Sequence, residues 1–445
     1  MVKRDAKNRA DADAARRVDV VTFQNGLSVA IVPGQHLSRA AITFVNRVGA
    51  RFERPEDAGL SHFLEHMLHR GTPRFPSAHA LASGIEEIGA SLDASTGVES
   101  GALTMTCPPD QLLDAADILG EITFSPLFTE IDVERGIVRE ELLEDRDERG
   151  RLVDPDGVAR AATFGEQALG QPIVGTLSTL RRFDTAALSV HHAKHYTTSA
   201  GVLAVSGRLP PRAKLLSRLE RAFMRLPRGR RVVTPRYDAS HAPPRLTIVR
   251  THASQVSLRI SSIGPGRRAR QVRAAELLLR VIDDGNATRL YDRLCDRLGL
   301  CYDVSAGFEA YSDVGFFDIA ADAAEVSIPR VLAELCDMLF ELTHAGPRPD
   351  EVQKAAQRAR WQADRARDQP EALAEQAATG LLFGDVTSPG ERAALLSEVP
   401  PAAIKRVAAQ LFDPSRLAVS LVGPVSRATE RAALATLQRF ARRRP

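Results

Sequence analysis

The chain has 445 residues, 44% of them apolar, which is enough for two domains with cores of their own. Its net charge is +3 with acidic and basic residues interspersed, which excludes the concentrated basic face of a nucleic-acid-binding protein. The cysteines form no Cys-x-x-Cys pair, which argues against a thiolate zinc site or a disulfide framework and favours reduced thiols in a cytoplasmic protein. They are Cys107, Cys295, Cys301 and Cys336.

The two ends of the chain predict solvated tails. Residues 1–17 are charged and lack the apolar core of a secretory signal, and their acidic residues argue against a mitochondrial transit peptide. Residues 442–445 are mostly Arg. No apolar run in the sequence approaches the length of a membrane-spanning helix. We therefore expect a cytoplasmic protein.

The first half of the chain alternates short strand patterns with amphipathic helix patterns. It opens with two strands, residues 18–23 and 27–32, joined by a hairpin signal at Gln24-Asn25-Gly26. Further strands are predicted at residues 40–48, 91–96, 102–107 and 201–206. Helices are predicted within residues 59–72 and at residues 78–88, 109–124, 130–149, 158–165, 185–195 and up to 224.

The segment between the halves, residues 227–244, is rich in Pro and Arg and predicts a linker. Beyond it the order of elements recurs. Strands are predicted at residues 246–249, 255–261, 302–309, 314–321 and 418–422, and helices at 270–281, 288–297, 327–344, 350–367 and the C-terminal end. The recurrence predicts a duplicated α+β domain, with a tail at 1–17, a first domain at 18–226 and a homologous second domain at 245–445.

The segment 59–72 contains the pattern His-x-x-Glu-His at His62, Glu65 and His66. On a helix the two histidines lie one turn apart on one face and can reach the same metal ion. Glu65 lies on the same side, where its carboxylate can serve as the base for a metal-activated water. This order is the signature of the inverted zinc peptidases. Solvated histidines are the alternative, but the apolar flanks place the pattern in a wall of the core, where unpaired imidazoles would be costly.

A catalytic zinc site needs a third protein ligand, and the richest acidic stretch downstream is residues 134–147. Glu141 borders the apolar face of this predicted helix, and Glu134 lies two turns earlier on the same side. Glu140 and Glu144 are expected toward solvent. A buried carboxylate is costly unless it meets a cation such as zinc, although a solvated acidic face explains the helix equally well. The predicted buried positions are Val133, Ile137, Val138, Leu142 and Leu143.

Residues 48–72 resemble the pitrilysin-type metallopeptidases, over the sequence Val-Gly-Ala-Arg-Phe-Glu-Arg-Pro-Glu-Asp-Ala-Gly-Leu-Ser-His-Phe-Leu-Glu-His-Met-Leu-His-Arg-Gly-Thr. The resemblance covers most of the chain and is strongest for the small two-domain group similar to the mitochondrial processing peptidase. It implies an α+β fold with two homologous α/β domains, each a mostly antiparallel sheet covered by helices, in a half-clamshell arrangement. It also implies one Zn²⁺ per chain held by His62, His66 and Glu141, with Glu134 in support and Glu65 as the catalytic base.

The segment 89–96 is similar to the strand with which this family pairs extended substrates, and the resemblance implies substrate contacts at Asp93, Ala94 and Thr96. The family usually has Asn where Asp93 stands, and a plain strand of the sheet is the alternative. An open edge beside a metal site recognises main chain, which favours unfolded or peptide substrates. A second pair of histidines one turn apart, His191 and His195, has no accompanying carboxylate base, and we interpret it as structural.

Active relatives carry an Arg and a Tyr seven residues apart in the second half, and the pair faces the zinc from another lobe, often of another chain. Tyr302 matches the Tyr and is a candidate substrate-binding residue, unless it is only an aromatic at the edge of the core. Cys295 stands where the Arg is expected, flanked by Arg293 and Arg297. The resemblance therefore predicts a heterodimer with a homologous chain that keeps the pair. A homodimer in which Arg293 or Arg297 substitutes is the alternative.

The function that these observations predict is a zinc-dependent endopeptidase that cleaves extended peptides or leader segments. The first alternative is a non-catalytic peptide-binding or scaffolding subunit of a paired peptidase complex, although such a subunit has no need of Glu65. The second is a zinc lyase or another hydrolase on a related fold, against which the resemblance of the edge strand weighs. No nucleic acid or membrane partner is expected.

Overall fold

The computed structural model describes residues 18–443, so the tail predicted at residues 1–17 lies outside the described residues. The chain forms two compact units, each with its own β-sheet. Of the described residues, the first unit contains 18–142 together with Pro172–Pro235 and Trp361–Arg392. The second contains Leu143–Gln171, Arg236–Arg360 and residues 393–443.

The first sheet contains six strands of the described chain: β1 (Asp19–Thr22), β2 (Ser28–Pro33), β3 (Ala40–Asn46), β4 (Ser91–Thr96), β5 (Gly101–Cys107) and β6 (Gly201–Gly207). Their order across the sheet is β1-β2-β6-β3-β5-β4, and neighbours are antiparallel except for the parallel pair β2 and β6. Strand β4 lies at the edge and, within residues 18–443, pairs only with β5.

From residue 18 onward, this half of the chain contains the α-helices α1 (Leu60–Leu68), α2 (Ala78–Glu87), α3 (Leu112–Phe124), α4 (Ile131–Glu144), α5 (Pro155–Phe164), α6 (Leu177–Leu180), α7 (Thr185–His195) and α8 (Arg212–Phe223). Helix α4 is shorter than the predicted helix at 130–149. A bridge between Arg146 and Leu152 closes a turn there, and Asp145 uses its carbonyl to bind the amides of Val153 and Asp154. These hydrogen bonds are incompatible with a continuing α-helix, so α4 ends at Glu144.

The second sheet contains five strands of the described chain: β7 (Thr247–Arg250), β8 (Val256–Pro265), β9 (Val304–Ala310), β10 (Val314–Ala323) and β11 (Ala418–Gly423). Their order is β7-β11-β8-β10-β9, and only β7 and β11 are parallel. The α-helices are α9 (Val272–Ile282), α10 (Arg289–Tyr291), α11 (Ile328–His344), α12 (Pro349–Ala366), α13 (Pro370–Phe383), α14 (Pro389–Ser397), α15 (Pro401–Leu411) and α16 (Arg427–Arg442).

Each unit includes a helix from the opposite half of the chain. Helix α13 packs on β2, β3 and β6 of the first sheet, where its alanines meet the small residues of the strands. Helix α5 packs on β8 and β11 of the second sheet. One crossing between the units, Pro235 to Arg236, lies inside the linker expected at 227–244. The other crossings were not expected, because the sequence gives the order of the elements and not the sheet on which each helix packs.

The predicted fold class is confirmed: the chain is α+β, with two mostly antiparallel sheets and many helices. Four helices, α6, α13, α14 and α15, occupy residues for which the sequence predicted no helix. The last three each begin at a proline, the residue favoured at a first helical position. Within residues 18–443, no helix combines the length and the apolar character that crossing a bilayer requires.

Candidate metal centre

Helix α1 carries His62, Glu65 and His66, as the sequence predicts. The helix packs against β4, α6 and α7. The two histidines lie one turn apart, with ring centroids 4.6 Å apart. Burial of the apolar face fixes the helix and leaves the histidine face toward α4. The buried apolar side chains, each at most 5% exposed, are Leu60, Phe63, Leu64, Met67 and Leu68.

Helix α4 brings Glu141 to these histidines. Glu141 Oε1 lies 3.4 Å from His62 Nε2, and Glu141 Oε2 lies 3.5 Å from His66 Nε2. Within residues 18–443, these are the only three His, Cys, Asp or Glu side chains whose ligand atoms all lie within 4.8 Å of one another. The hydrogen bond from His62 lowers the pKa of Glu141 against the opposing effect of burial. A lowered pKa favours the ionised carboxylate, which is the form that binds a cation.

Glu134 holds the other ring nitrogen of His66. His66 Nδ1 lies 2.7 Å from Glu134 Oε1, and the same carboxylate binds the guanidinium of Arg70. Burial lowers the pKa of His66, but the hydrogen bond to Glu134 and the nearby carboxylates outweigh it, so the pKa is raised. A hydrogen on Nδ1 donated to Glu134 leaves the lone pair of Nε2 free for a metal ion. Glu134 thus lies where the family resemblance implied a supporting carboxylate.

Glu65 is oriented by the edge strand. Thr96, the last residue of β4, donates from Oγ1 to Glu65 Oε2 over 2.7 Å. The sequence predicted Thr96 as a substrate contact and did not predict this bond. Asp93 is exposed and Ala94 is half-buried on the same strand, which borders α1. The strand and the two histidines are therefore neighbours, as the sequence predicts.

The predicted buried face of α4 was partly wrong. Val138 and Leu142 are buried, but Val133, Ile137 and Leu143 are 55%, 49% and 38% exposed. The buried stripe instead runs through Glu134, Val138 and Leu142, one helical turn apart. Glu134, whose carboxylate is paired, occupies a core position. A prediction based on the apolar residues alone assigns the core positions to other side chains. Glu140 and Glu144 are exposed, as expected.

His191 and His195 on α7 agree with the structural interpretation. His191 Nε2 lies 2.9 Å from Ser61 Oγ, and His195 Nδ1 bonds the carbonyl of Arg47. Burial lowers the pKa of His191 well below its usual value and that of His195 to about 4. Both rings are therefore neutral hydrogen-bonding groups of the core near physiological pH.

In the second unit, Cys295 lies in a π-helical turn, Asp292–Arg297, that follows α10. Its Sγ lies 4.0 Å from the carbonyl oxygen of Tyr302, whose side chain is 93% exposed. The neighbouring arginines are engaged: Arg293 Nη2 binds Glu341 at 2.5 Å, and Arg297 Nη2 binds Asp292 at 2.7 Å. Burial raises the pKa of the Cys295 thiol, which favours the neutral form over the thiolate. Neither form carries the positive charge of the Arg that the family resemblance implied at this position.

Sequence reasoning missed Arg70 as a partner of Glu134. Its spacing of four residues from His66 suggests a shared helical face, but Arg70 follows the last helical residue, Leu68, so helical spacing does not by itself place it beside Glu134. The bond between Thr96 and Glu65 had no comparable signal. It joins a strand to a helix 31 residues away, and only the packing of α1 against β4 brings them together.

Two family models match consecutive parts of the chain. Residues 29–177 match the model described as Insulinase (Peptidase family M16), and residues 182–359 match the Peptidase M16 inactive domain. The chain belongs to the M16 peptidase family, and the predicted pitrilysin-type resemblance is confirmed at that level.

Similar proteins agree with this assignment. An uncharacterized zinc protease of Mycobacterium tuberculosis is 28% identical over 353 residues, which is 78% of each chain. An uncharacterized zinc protease of Rickettsia bellii is 24% identical over 412 residues, 91% of this chain and 97% of the relative. A crystal structure of a peptidase M16 inactive domain from Pseudomonas fluorescens superposes with a TM-score of 0.81 at 18% identity, covering 92% of this chain and 98% of the other. A protease from Helicobacter pylori gives 0.81 at 17% identity, covering 92% and 100%.

Proposed function

We propose that this protein is a zinc-dependent endopeptidase. The observation that carries the proposal is the convergence of His62, His66 and Glu141, whose ligand atoms lie within 4.8 Å of one another. Glu65 lies on α1 between the two histidines. Two imidazole nitrogens and one carboxylate oxygen are the donor set of zinc sites that keep a position open for catalysis. The lowered pKa of Glu141 and the bond from His66 to Glu134 suit those residues to hold a divalent cation.

A zinc ion held there would act as a Lewis acid on the scissile carbonyl and would make water acidic enough to attack near neutral pH. Glu65 is the base that takes the proton from the attacking water and later gives it to the leaving amine. Thr96 fixes the orientation of the Glu65 carboxylate through the 2.7 Å bond to Oε2. Glu134 and Arg70 fix the ring of His66. The orienting roles of Thr96, Glu134 and Arg70 each rest on a contact of the side chain itself.

The substrates we propose are extended peptides or leader segments. Strand β4 has one side free of strand partners among the described residues and ends at Thr96, which touches Glu65. A peptide added to this edge would bind through its main chain, and its scissile bond would run past the catalytic base. A folded protein cannot offer such a strand without local unfolding.

We propose a second, homologous chain as the partner of this protein. The support is the substitution of Cys295 for the family's Arg, together with the engagement of Arg293 and Arg297 in ion pairs of their own. An uncharged thiol does not stabilise a developing oxyanion, a contribution of several kcal/mol in comparable sites. The alternative function, a non-catalytic subunit, leaves the intact Glu65 and its bond to Thr96 without a role.

Cleavage of an unstructured peptide before and after removal of metal tests the proposed function. The protein is assayed alone and with a homologous chain from the same source. We expect a chelator to abolish cleavage and stoichiometric Zn²⁺ to restore it, with internal rather than terminal bonds cut. Cleavage that persists after zinc is removed, or no cleavage in either preparation, would refute the proposal.

A further inference from the structure

The N-terminal turn of α1 has no cap of its own. Its N-cap residue, Gly59, has a positive φ of 90° and no side chain that could bind the free amides. A Cβ at this position would lie 2.7 Å from the Val174 carbonyl oxygen and from the Gly175 Cα, so a capping residue such as Ser does not fit. The first-turn amides of the helix therefore need a partner from elsewhere.

Glu53 supplies that partner from six residues upstream. Its Oε2 accepts from the Gly59 amide at 2.8 Å, and its Oε1 accepts from the Ser61 amide at 2.6 Å. Glu53 is only 8% exposed. Burial raises the pKa of its carboxyl, and the bonds from Ser61 and Gly59 act in the opposite direction. One buried side chain thus satisfies two amides of the helix that carries the metal-binding motif.

The backbone that carries Glu53 is itself anchored. Glu53 follows a 3₁₀ turn, Ala50–Phe52, in which Arg51 is 1% exposed. The guanidinium of Arg51 binds the carboxylate of Glu99 and the carbonyl of Pro235. A buried ion pair therefore fixes the backbone from which Glu53 caps the helix.

The two histidines of α1 differ in how their rings are held. His66 Nδ1 is bonded to Glu134, but His62 Nδ1 is buried and has no hydrogen-bond partner among residues 18–443. His62 directly follows Ser61, whose amide Glu53 binds. The position of the His62 ring therefore depends on the backbone of the first helical turn.

We propose that Glu53 is a positioning residue for the metal centre: by capping α1 at Gly59 and Ser61, it fixes the turn that presents His62 to Glu141. Glu53 does for His62, through the backbone, what Glu134 does for His66 through the ring. The inference rests on the proposed function, because it concerns a ligand of the proposed zinc site.

The test compares Glu53→Gln with the control Asp117→Asn in the full chain. Gln at position 53 can accept from only one of the two amides, because its NH₂ group is a donor, whereas Asn at position 117 can still accept from Arg218. Each variant removes one paired carboxylate from the first unit, but Asp117 lies on α3 and pairs with α8, so only Glu53→Gln touches α1. Zinc affinity is measured by competition with a chromophoric chelator, and ligand geometry by the visible spectrum of the Co²⁺-substituted protein.

We expect Glu53→Gln to weaken zinc binding by about tenfold, the lower end of what loss of a supporting contact costs, and to shift the Co²⁺ bands. Asp117→Asn should keep the zinc affinity within about twofold and leave the spectrum unchanged, since its ion pair with Arg218 has no contact with α1. Equal affinity and an unchanged spectrum in Glu53→Gln would overturn the inference and leave the proposed function intact. A wild-type protein that binds no zinc would refute the proposed function, and the inference with it.

If Glu53→Gln fails to fold, amide hydrogen exchange of the zinc-free wild-type protein tests the role of Glu53 instead. Peptides covering residues 59–62 should show slow exchange, because Glu53 binds two of these amides. Glu53→Asp, whose shorter side chain cannot reach both amides, should speed that exchange and leave the rest of the first unit protected. Exchange at residues 59–62 as fast as in exposed loops of the wild type would overturn the inference.

Discussion

At the scale of single residues, the candidate centre combines groups that the motif reveals with groups that only packing reveals. His62, Glu65 and His66 follow from their spacing alone, since a helix places them on one side. Glu141 follows from the resemblance together with the helical pattern of α4. Thr96 and Glu53 act on the centre through contacts that no local spacing predicts. The sequence thus predicts the proposed ligands and base, and the structure adds the groups that orient them.

Glu141→Gln tests the assignment of the third ligand. The amide keeps the size of the side chain but removes the negative charge that lies 3.4 Å and 3.5 Å from the two histidine nitrogens. We expect zinc affinity to fall by at least about 100-fold, since metal binding requires the deprotonated carboxylate. Zinc content after gel filtration measures this.

Glu140→Gln is the matched control for that substitution, because Glu140 neighbours Glu141 but its side chain is 72% exposed and pairs with Arg139. It should retain full zinc occupancy. Full occupancy in Glu141→Gln would reject the assignment and point to Glu140 or Glu144 as the ligand.

At the scale of elements, the strands and the long helices were predicted more accurately than the faces of the helices. Strand β4 has the bounds that its sequence predicts, because its turns and its alternation are local signals. The face of α4 was predicted wrongly at Val133, Ile137 and Leu143. The buried side of α4 is the side whose two carboxylates meet α1. A prediction based only on apolar residues does not expect a buried Glu such as Glu134.

Gly59→Ala tests the close approach at the start of α1. The substitution places a Cβ 2.7 Å from backbone atoms at a φ of 90°, so we expect a loss of stability of about 1–3 kcal/mol. Gly136→Ala is the control, since Gly136 lies in α4 with no atom within 4 Å of its added Cβ. It should stabilise by about 0.5–1 kcal/mol. Urea unfolding measures both, and equal stabilities for the two variants would contradict the account.

The open edge of β4 predicts a preference for extended substrates. A single disulfide-bonded protein serves as its own control when it is offered in the native form and in the reduced and alkylated form. We expect only the unfolded form to be cleaved at an appreciable rate, because strand addition needs free main-chain groups. Mass spectrometry of the products measures this. Rapid digestion of the native form, with unfolded chains and peptides spared, would count against the role of β4.

At the scale of the whole molecule, the recurrence of element order predicted two sheet-containing units, and the structure has them. The exchange of α5 and α13 between the halves was not predictable from order alone. Helix α13 packs by Ala374, Ala377 and Ala378, and the apolar pattern of an alanine-rich helix does not tell which sheet it covers. Contacts between residues far apart in the sequence determine which sheet a helix covers. A single sequence does not show which residues make such contacts.

The substitution at Cys295 predicts that this chain is not fully active by itself. We expect native mass measurements and kinetics to show a complex with a homologous chain, and that complex to exceed the isolated chain in activity by about 10²–10³-fold, the usual cost of one missing oxyanion donor. Replacing the partner's corresponding Arg with Ala should remove the gain. Full activity of the isolated chain would contradict the heterodimer and favour a homodimer in which Arg293 or Arg297 leaves its ion pair.

The central claim is that the His62, His66 and Glu141 site hydrolyses peptide bonds with Glu65 as the base. The most direct measurement is the zinc content and the peptide cleavage rate of Glu65→Gln beside the wild type, in the same preparation with any partner chain present. We expect unchanged zinc content and a rate lower by about 10²–10⁴-fold, because the base is lost and the ligands remain. Cleavage of an unstructured peptide by Glu65→Gln at the wild-type rate would contradict the claim.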